Sequence, residues 1–346
     1  MARAHALLSK ATFIVMLMIA ATSRSQVNTA AYVLTYPISA RAAAMGETGV
    51  ADNSDPANIF FNPANVVGSP KAYVQGSRWD IDPLLAHDLW TGGRSAGISY
   101  DKKGGSLRML SGDFSYGRFD YGESVLTDPT GAPLGTFHNK EEYFAVTVGA
   151  GFIFSDRWNL LLGGAAKLWD ADFAPAEVTS SSEVPELDAF AFDIGTTLAL
   201  QTSVTEWTIT PAVAVAFVDA GPDIDIPESS QDDPLPTRLQ FGTSVRVESP
   251  TTKILSADVP VIAVVYNVDA AERFHGNPFS WGIGGELAVA QILFVRAGST
   301  DFDDKKGKPS YDGSGWGIGL GIPAGPFRAR FDFTKTTAFH EEDKYG

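Results

Sequence analysis

From residue 94 onwards the chain repeats one pattern, in which about ten residues carry apolar side chains at every second position and a turn rich in Gly, Pro, Asp or Ser follows. In one such segment Trp158, Leu160 and Leu162 point to one side, while Asn159 and Lys167 point to the other. Because successive side chains of a β-strand point to opposite faces, a period of two predicts strands.

The second face of these segments decides between two all-β architectures. A soluble β-sandwich would present Lys, Glu and Thr to water on that face, whereas here it is mostly Gly, Ala and Thr with a few charges. Small residues suit the curved inside of a barrel, and aromatic residues at strand ends, such as Trp207, Trp281 and Trp316, suit interfacial girdles. The sequence therefore predicts a transmembrane antiparallel β-barrel with its apolar face outward, and the sandwich remains the alternative.

The pattern places thirteen strands, and closed bacterial barrels have an even number, so we expect about fourteen strands, or about twelve. The predicted strands cover residues 71–79, 94–101, 105–117, 140–154, 157–169, 187–201, 206–218, 237–248, 252–266, 280–289, 291–300, 313–322 and 325–335. Residues 118–139, 219–236 and 267–279 are predicted as long connections, because they lack a clean alternation.

The first residues have the organisation of a secretory signal peptide. Arg3 and Lys10 precede an apolar stretch too short to cross a bilayer as a helix, and Ser23 and Ser25 suit cleavage before Gln26. We therefore predict residues 1–25 to be a signal peptide and the protein to be exported.

Residues 26–70 show no strand period and are rich in Ala and Asn. Asp55 followed by Pro56 is a good start for a short helical turn, and Asn62 followed by Pro63 predicts a second turn that ends near Gly68. This segment is expected to fold separately from the strands at 71–340.

One run within this segment resembles the amino-terminal signature of the FadL-type long-chain fatty acid transporters and of their PorV/PorQ relatives, which belong to the type IX secretion system. The matching residues are Arg41, Ala44, Met45, Gly46, Gly49, Ala51, Asp52, Asp55, Ala57, Phe61, Asn62, Pro63 and Ala64. Two strand pairs resemble the same superfamily, the first at 162–168 with 192–195 and the second at 282–286 with 294–298. The spacing is closer to PorV/PorQ, because the chain is short and has no long insertion between its first strands.

The resemblance implies a fourteen-stranded barrel whose amino-terminal segment folds into the lumen as a hatch or plug. It also implies that Arg41, Met45, Gly46, Asp55, Asn62, Pro63 and Ala64 belong to that plug. The alternative is that this segment only covers an edge of the barrel. The end of the chain departs from the family, because an acidic tail at residues 341–346 stands where many outer-membrane barrels finish on an aromatic residue.

Charge and composition exclude some classes of binding partner and of chemistry. The formal charge is −15 for the whole chain, and loss of Arg3, Lys10 and Arg24 with the signal peptide makes it −18, so nucleic acid is a poor partner. The absence of cysteine excludes disulfides and thiol chemistry.

Acidic clusters in predicted loops could bind divalent cations, but no spacing resembles a calcium loop and solvated loop tips are the simpler interpretation. These clusters lie at residues 219–228, 232–233, 301–304 and 341–343.

Catalytic chemistry is not indicated. A lipid hydrolase would need a Ser and a His facing each other, and the sequence has no Gly-x-Ser-x-Gly elbow. The mature chain's histidines, His87, His138, His275 and His340, fall outside the strand cores and have no metal-ligand spacing. We predict no catalytic residues, no metal and no cofactor.

Several charged side chains are predicted to point into the lumen. They are Lys167, Asp193, Arg238, Arg246, Glu286, Arg328, Arg330 and Asp332. The arginines could hold an anionic head group such as a carboxylate, or they could pair with the acids and fill the lumen. Inward glycines, notably at 315–321, could leave room for a passage.

Two functions remain at this stage. The first is a bacterial outer-membrane barrel, in contact with membrane lipid, that acts in protein secretion or surface attachment together with secreted proteins or secretion-system components, or that passes hydrophobic small molecules. The second is a structural or adhesive surface barrel that is closed by its plug and binds partners through its acidic loops.

Overall fold

The computed structural model describes residues 31–336 except 38, 82–87, 103–104, 129, 173–186, 226–231, 275–278, 303–310 and 326. The predicted signal peptide and the acidic tail lie outside the described residues. No helix among the described residues is long and apolar enough to cross a bilayer.

Strands dominate the chain. Their bounds are β1 Ala72–Asp80, β2 Trp90–Asp101, β3 Leu107–Thr127, β4 Pro133–Ile153, β5 Trp158–Asp172, β6 Leu187–Leu200, β7 Thr202–Val204, β8 Trp207–Ala220, β9 Arg238–Glu248, β10 Thr251–Ile254, β11 Ala257–Pro260, β12 Ile262–Arg273, β13 Ser280–Val289, β14 Leu293–Phe302, β15 Tyr311–Ala324 and β16 Phe327–Thr336.

All the long strands belong to one antiparallel sheet of fourteen strands. Its path runs β1 to β6, then β8, β9 and β12 to β16, so that each strand pairs with the next one along the wall. The short β7 pairs only with β8, and β10 pairs with β11 in a separate hairpin. The wall is therefore an up-and-down meander, the topology expected of a barrel built from hairpins.

The outward face of this wall is apolar and exposed. Leu168, Ile194, Leu320 and Phe331 each expose between 57% and 72% of their surface, and comparable residues occur on most strands. A soluble protein does not expose an apolar belt of this extent, whereas lipid covers it in a membrane barrel. The predicted fold class, a transmembrane antiparallel β-barrel, is confirmed, and the sandwich alternative is wrong.

The prediction of a long connection at 118–139 is wrong. β3 and β4 continue through it as a paired hairpin that ends around Asp128. Polar side chains bridge its outward face here, as where the Tyr116 hydroxyl donates to Glu142. With polar residues on both faces, the alternation that reveals a half-buried strand is lost.

The single strand predicted at 252–266 is also wrong. Leu255 and Ser256 both have positive φ and form a two-residue turn, which folds β10 back against β11. The next wall strand is β12, which extends to Arg273 and occupies part of the predicted connection at 267–279. Its later residues were not recognised as strand because Asn267 and Asp269 are inward polar residues.

Residues 31–69, apart from 38, form a segment of short helical turns that packs against the inward face of the wall, and we call this segment the plug. A helix spans Ala40–Ala44, and 3₁₀ turns span Tyr32–Leu34, Pro56–Phe60 and Pro63–Gly68. Three of them begin at a side-chain cap, because Ser39, Asp55 and Asn62 each accept a backbone N–H from the following turn. The two turns predicted after Asp55 and Asn62 are therefore present.

The wall makes room for the plug by presenting glycine where the two backbones meet. A Cβ added at Gly163 would overlap the backbone of Pro63, and one at Gly315 would overlap the carbonyl of Ala43. The same is true of Gly298 and Met45. The inward glycines at 315 and 317 therefore face the plug and leave no room for a passage at these two positions.

The two ends of the barrel differ. Tight connections such as 154–157, 205–206 and 290–292 lie at one end, which we call the turn end. Strands β5, β8 and β14 end at the other end, which we call the loop end. β1 and β16 both run from the turn end to the loop end, because the path contains an odd number of strands, thirteen.

We call the interval between β1 and β16 the seam. Among the described residues β1 pairs only with β2, and β16 pairs only with β15. Within the described residues the path therefore begins and ends at a strand whose outer edge has no ladder.

We expect the inward wall glycines that contact the plug backbone to be needed for docking of the plug. Gly284→Ala places a methyl group against the Met45 carbonyl oxygen, a backbone atom that cannot rotate away. The neighbouring Gly285→Ala is the matched control, because its nearest atom is the Val265 oxygen at 3.8 Å. Urea unfolding in detergent micelles should show a loss of about 1–3 kcal/mol for Gly284→Ala and little change for Gly285→Ala. Equal stabilities would show that the plug does not rest on this face.

Candidate functional site

Arg41 lies at the centre of a buried ion cluster that ties the plug to the wall. Its guanidinium donates from Nε and Nη2 to both oxygens of Glu286, at 2.8 and 3.2 Å, and from Nη1 to Asp52 at 2.8 Å. Arg296 also reaches Glu286, at 2.6 Å. With 1% of its surface exposed, Arg41 can stay charged only because these carboxylates surround it.

The cluster continues to β16, the last strand. Arg296 donates to Asp332 at 2.7 Å, and Arg330 donates to Asp332 at 2.9 Å and to Asp55 of the plug. The helix adds a further contact, since the Thr334 hydroxyl donates to the Ala40 carbonyl at 2.6 Å. One continuous network therefore joins the plug, β13, β14 and β16.

A second cluster lies towards the loop end. Lys167 contacts Asp193 at 2.8 Å and Asp219 at 2.5 Å, and Arg238 donates to Asp219 at 2.6 Å. Arg238 also donates to the carbonyl oxygen of Leu34 in the plug at 3.0 Å. All four side chains are nearly fully buried, so each charge depends on its partners.

Other wall side chains bind the plug backbone directly. Asp269 accepts the N–H groups of Gly49 and Val50 at 2.5 and 2.8 Å. Glu141 accepts the N–H of Val33 at 3.0 Å. These bonds satisfy plug groups that would otherwise be buried without a partner.

The plug motif residues all lie inside the barrel. Asn62 donates to the Val50 carbonyl at 2.8 Å and to the Thr197 hydroxyl at 2.9 Å, and its Oδ1 accepts the N–H of Ala64. Met45 is fully buried, and Gly46 has a φ of +66° where a Cβ would strike the backbone of the wall. The described contacts of these residues are all with other parts of the plug or with the wall.

The structure brings most of the predicted luminal charges into these clusters but separates two of them. Arg246 forms an ion pair with Glu248 on its own strand, and Arg328 is exposed on β16 without an ion pair among the described residues. Arg296, Asp219 and Asp269 were missed by sequence reasoning. Arg296 is on a predicted strand and could have been found from its inward register, whereas the other two lie in stretches predicted as connections.

A cavity of about 620 Å³ lies in the turn-end half of the barrel and opens at the seam. Consecutive residues of both edge strands line it, 73–78 on β1 and 328–332 on β16. Its inner wall includes Ala263, Val265 and Phe294, and its roof is formed by plug residues such as Ala40. Its lining therefore includes lipid-facing residues of the edge strands, Val74 and Phe331, as well as inward residues beneath the plug.

More arginine than acidic side chains line this cavity. Arg78, Arg246, Arg328 and Arg330 line it, and the only acidic lining residues among those described are Glu286 and Asp332. Both acids already bind arginines of the first cluster. Three of the four arginines also have acidic partners, since Arg78 pairs with Asp80, Arg246 with Glu248, and Arg330 with Asp55 and Asp332. Arg328 is the lining arginine without an ion pair among the described residues.

One of the four histidines considered for catalysis lies among the described residues. His138 is the one candidate histidine within them, and it contacts Asp120 at 2.6 Å on a partly exposed part of the β3–β4 hairpin. His87, His275 and His340 lie outside the described residues. Within that same part of the chain, no three histidine, cysteine or acidic side chains lie close enough to hold a metal ion.

No family model and no curated protein matches the chain. Solved structures with a similar fold include the TodX deltaS2S3 mutant monoaromatic hydrocarbon channel, 10% identical over 86% of this chain and 97% of that chain, with a TM-score of 0.41. LpxR from Salmonella typhimurium is 9% identical over 71% and 88%, with a TM-score of 0.35. CdiB from Escherichia coli is 11% identical over 77% and 50%, with a TM-score of 0.39.

The charge of Arg41 should be needed to hold the plug. Arg41→Leu leaves Asp52 and Glu286 buried with too few cations, and should lower the unfolding free energy by about 3–5 kcal/mol. Arg157→Leu, at an exposed turn, is the control and should change it little. Urea unfolding in micelles, followed together with proteolysis of the plug, measures both. Equal values for the two variants would contradict the role of Arg41.

Acid should loosen the plug. Burial alone would raise the pKa of Asp52 and of Asp55. Arg41 instead lowers the pKa of Asp52 below its usual range, and Arg330 and Arg41 lower that of Asp55. A lowered native pKa means that these groups stabilise the plug above their unfolded pKa of about 3.9, and that this stabilisation disappears as the pH falls below it. Proteolysis of the plug should therefore accelerate as the pH falls from about 4 to about 2. The control is the exposed β3–β4 turn in an Asp128→Asn variant, which lacks the carboxylate of that turn and should accelerate less. Equal acceleration at both sites would contradict this prediction.

Proposed function

We propose that this protein is a bacterial outer-membrane barrel that exchanges hydrophobic or amphipathic molecules between its internal cavity and the surrounding lipid. The observation that carries the proposal is the cavity of about 620 Å³, which opens sideways at the seam while the plug fills the lumen above it. A cavity of about 300–1,000 Å³ is the size that binds small molecules.

The lining of the cavity supports this class of ligand. Phe294, Ala263 and Val265 supply apolar contact, and Phe294 packs with Ala263 and Ala288 in one buried cluster. The arginines at the rim supply charge-assisted donors for a polar or anionic end. A molecule with an apolar body and a polar end would match both parts.

The location in the outer membrane rests on the membrane-type wall together with the predicted signal peptide. Bacterial barrels of this kind have short periplasmic turns and longer extracellular loops. We therefore assign the turn end to the periplasm and the loop end to the cell surface. In this orientation the cavity lies in the periplasmic half of the barrel.

A second candidate is a closed barrel with a structural or adhesive role, or one that helps to secrete or attach other proteins, as the PorV/PorQ resemblance implies. The observation that favours it is the plug, which is held by buried ion pairs on several strands. Such a plug suits a barrel that acts through its surface.

Dye uptake into lipid vesicles containing the purified protein should separate the candidates. Ala329→Trp adds an indole at the cavity mouth and should remove most of the protein-dependent transfer of a small hydrophobic fluorescent dye. Val213→Trp, which adds the same ring to the exposed lipid face of β8, is the matched control and should leave transfer unchanged. Transfer at the level of empty vesicles for the unmodified protein would refute passage and favour the closed barrel.

A further inference from the structure

The number of strands in the wall has a consequence for the seam. Thirteen strands lie in the path, so β1 and β16 run in the same direction, from the turn end to the loop end. Among the described residues, neither strand has a ladder on its outer edge. Within the described part of the chain, both edges therefore leave a row of backbone N–H and C=O groups without a ladder partner.

Strand edges without a partner are energetically unfavourable in a membrane. Lipid cannot satisfy backbone hydrogen bonds, and membrane barrels normally avoid the cost by closing the sheet. One extended segment that runs from the loop end to the turn end would be antiparallel to both edge strands. It would complete the ladder of whichever edge it joined.

The direction of the edges also limits which chain can supply that segment. Two copies of this protein in one membrane have the same orientation, so β1 and β16 of a second copy run in the same direction as the edges of the first. A second copy can therefore offer only parallel pairing at this seam, whereas the segment described above is antiparallel.

We propose that the seam binds an extended segment of another protein by strand addition, with that segment running from the loop end to the turn end. Strand addition to an exposed sheet edge is a recurrent way of recognising a peptide, in which main-chain bonds give affinity and alternate side chains give specificity. This inference does not rest on the passage of small molecules, although an occupied seam would close the lateral opening.

The side chains beside the seam specify the segment. On the outward side, Val74, Phe327 and Phe331 are 85%, 78% and 72% exposed, so outward residues of the guest should be apolar. On the inward side, Arg328 is exposed to the cavity. Glu286 and Asp332 are already bound by other arginines, so inward residues of the guest should be acidic or hydroxyl-bearing.

Arg246 supports the same preference. It lines the cavity from across the lumen, and its Nε atom is buried without a hydrogen-bond partner among the described residues. A buried guanidinium donor without an acceptor costs free energy, which an anionic side chain entering from the seam would recover. The guest is therefore an amphipathic strand with an apolar outward face and an acidic inward face.

Photocrosslinking tests the proposal. The full-length barrel in lipid vesicles carries a photoreactive amino acid at Val74, at Phe331 or, as control, at Val213 on the far side of the wall. The probe is a synthetic peptide of about ten residues, the length that crosses a bilayer as a strand, alternating Val with Asp and Ser. We expect saturable crosslinking at Val74 and Phe331 and only background at Val213.

A charge exchange tests the specificity. Replacing Asp by Lys in the peptide should weaken crosslinking by about threefold to tenfold, because a partly exposed ion pair contributes up to about this factor. Arg328→Glu should reverse the preference, so that the Lys peptide binds better than the Asp peptide. Arg157→Glu, at an exposed turn, is the matched control and should leave the preference unchanged.

Three results would overturn the proposal. Equal labelling at all three positions would mean that the peptide only partitions into lipid. Labelling that needs prior deletion of residues 337–346 would assign the seam to the chain's own end. If Arg328→Glu does not reverse the preference, the bound segment does not have the proposed acidic inward face. Crosslinking does not measure dye transfer. These three results can therefore be interpreted even if the protein does not pass small molecules.

Discussion

The buried charge of Arg41 is the constraint on which the arrangement of the lumen depends. A guanidinium with 1% exposure needs carboxylates on several sides, and it finds them on the plug at Asp52 and on the wall at Glu286. Because these acids come from segments far apart in sequence, the charge is satisfied only when the plug is docked. Docking in turn needs a wall that allows backbone to meet backbone, which explains glycine at positions such as 284 and 298.

This dependence explains which parts of the fold could be predicted. The wall strands were recognisable where one face meets lipid and the other meets the plug, as in β5 and β6, because that contrast produces the alternation. The contrast disappears on the β3–β4 hairpin, where Tyr116 and Glu142 are bonded on the outward face. It also disappears on the later part of β12, where inward Asp269 binds the plug backbone. A pattern of apolar residues cannot detect strands whose faces are both polar.

The site was predictable to a similar extent. Inward register identified Lys167, Asp193, Arg238 and Glu286, and the motif identified Arg41, but no property of the sequence alone shows which charges lie within reach of one another. The partners are set by the path of the plug between the strands. The contacts of Asp219 and Asp269 could be recognised only from the structure, because each residue lies in a stretch that the alternation predicts as a connection.

The plug also determines what kind of opening the seam can be. On one side it binds β16 through the bond from Arg330 to Asp55 and the bond from Thr334 to Ala40. On the other side Tyr36 packs edge-on against Trp79 of β1, with ring centroids 6.0 Å apart. The two strands that lack a common ladder are thus held by the same internal segment. It follows that the width of the seam depends on the docked plug, and that a change which loosens Arg41 acts on the lateral opening as well as on the lumen.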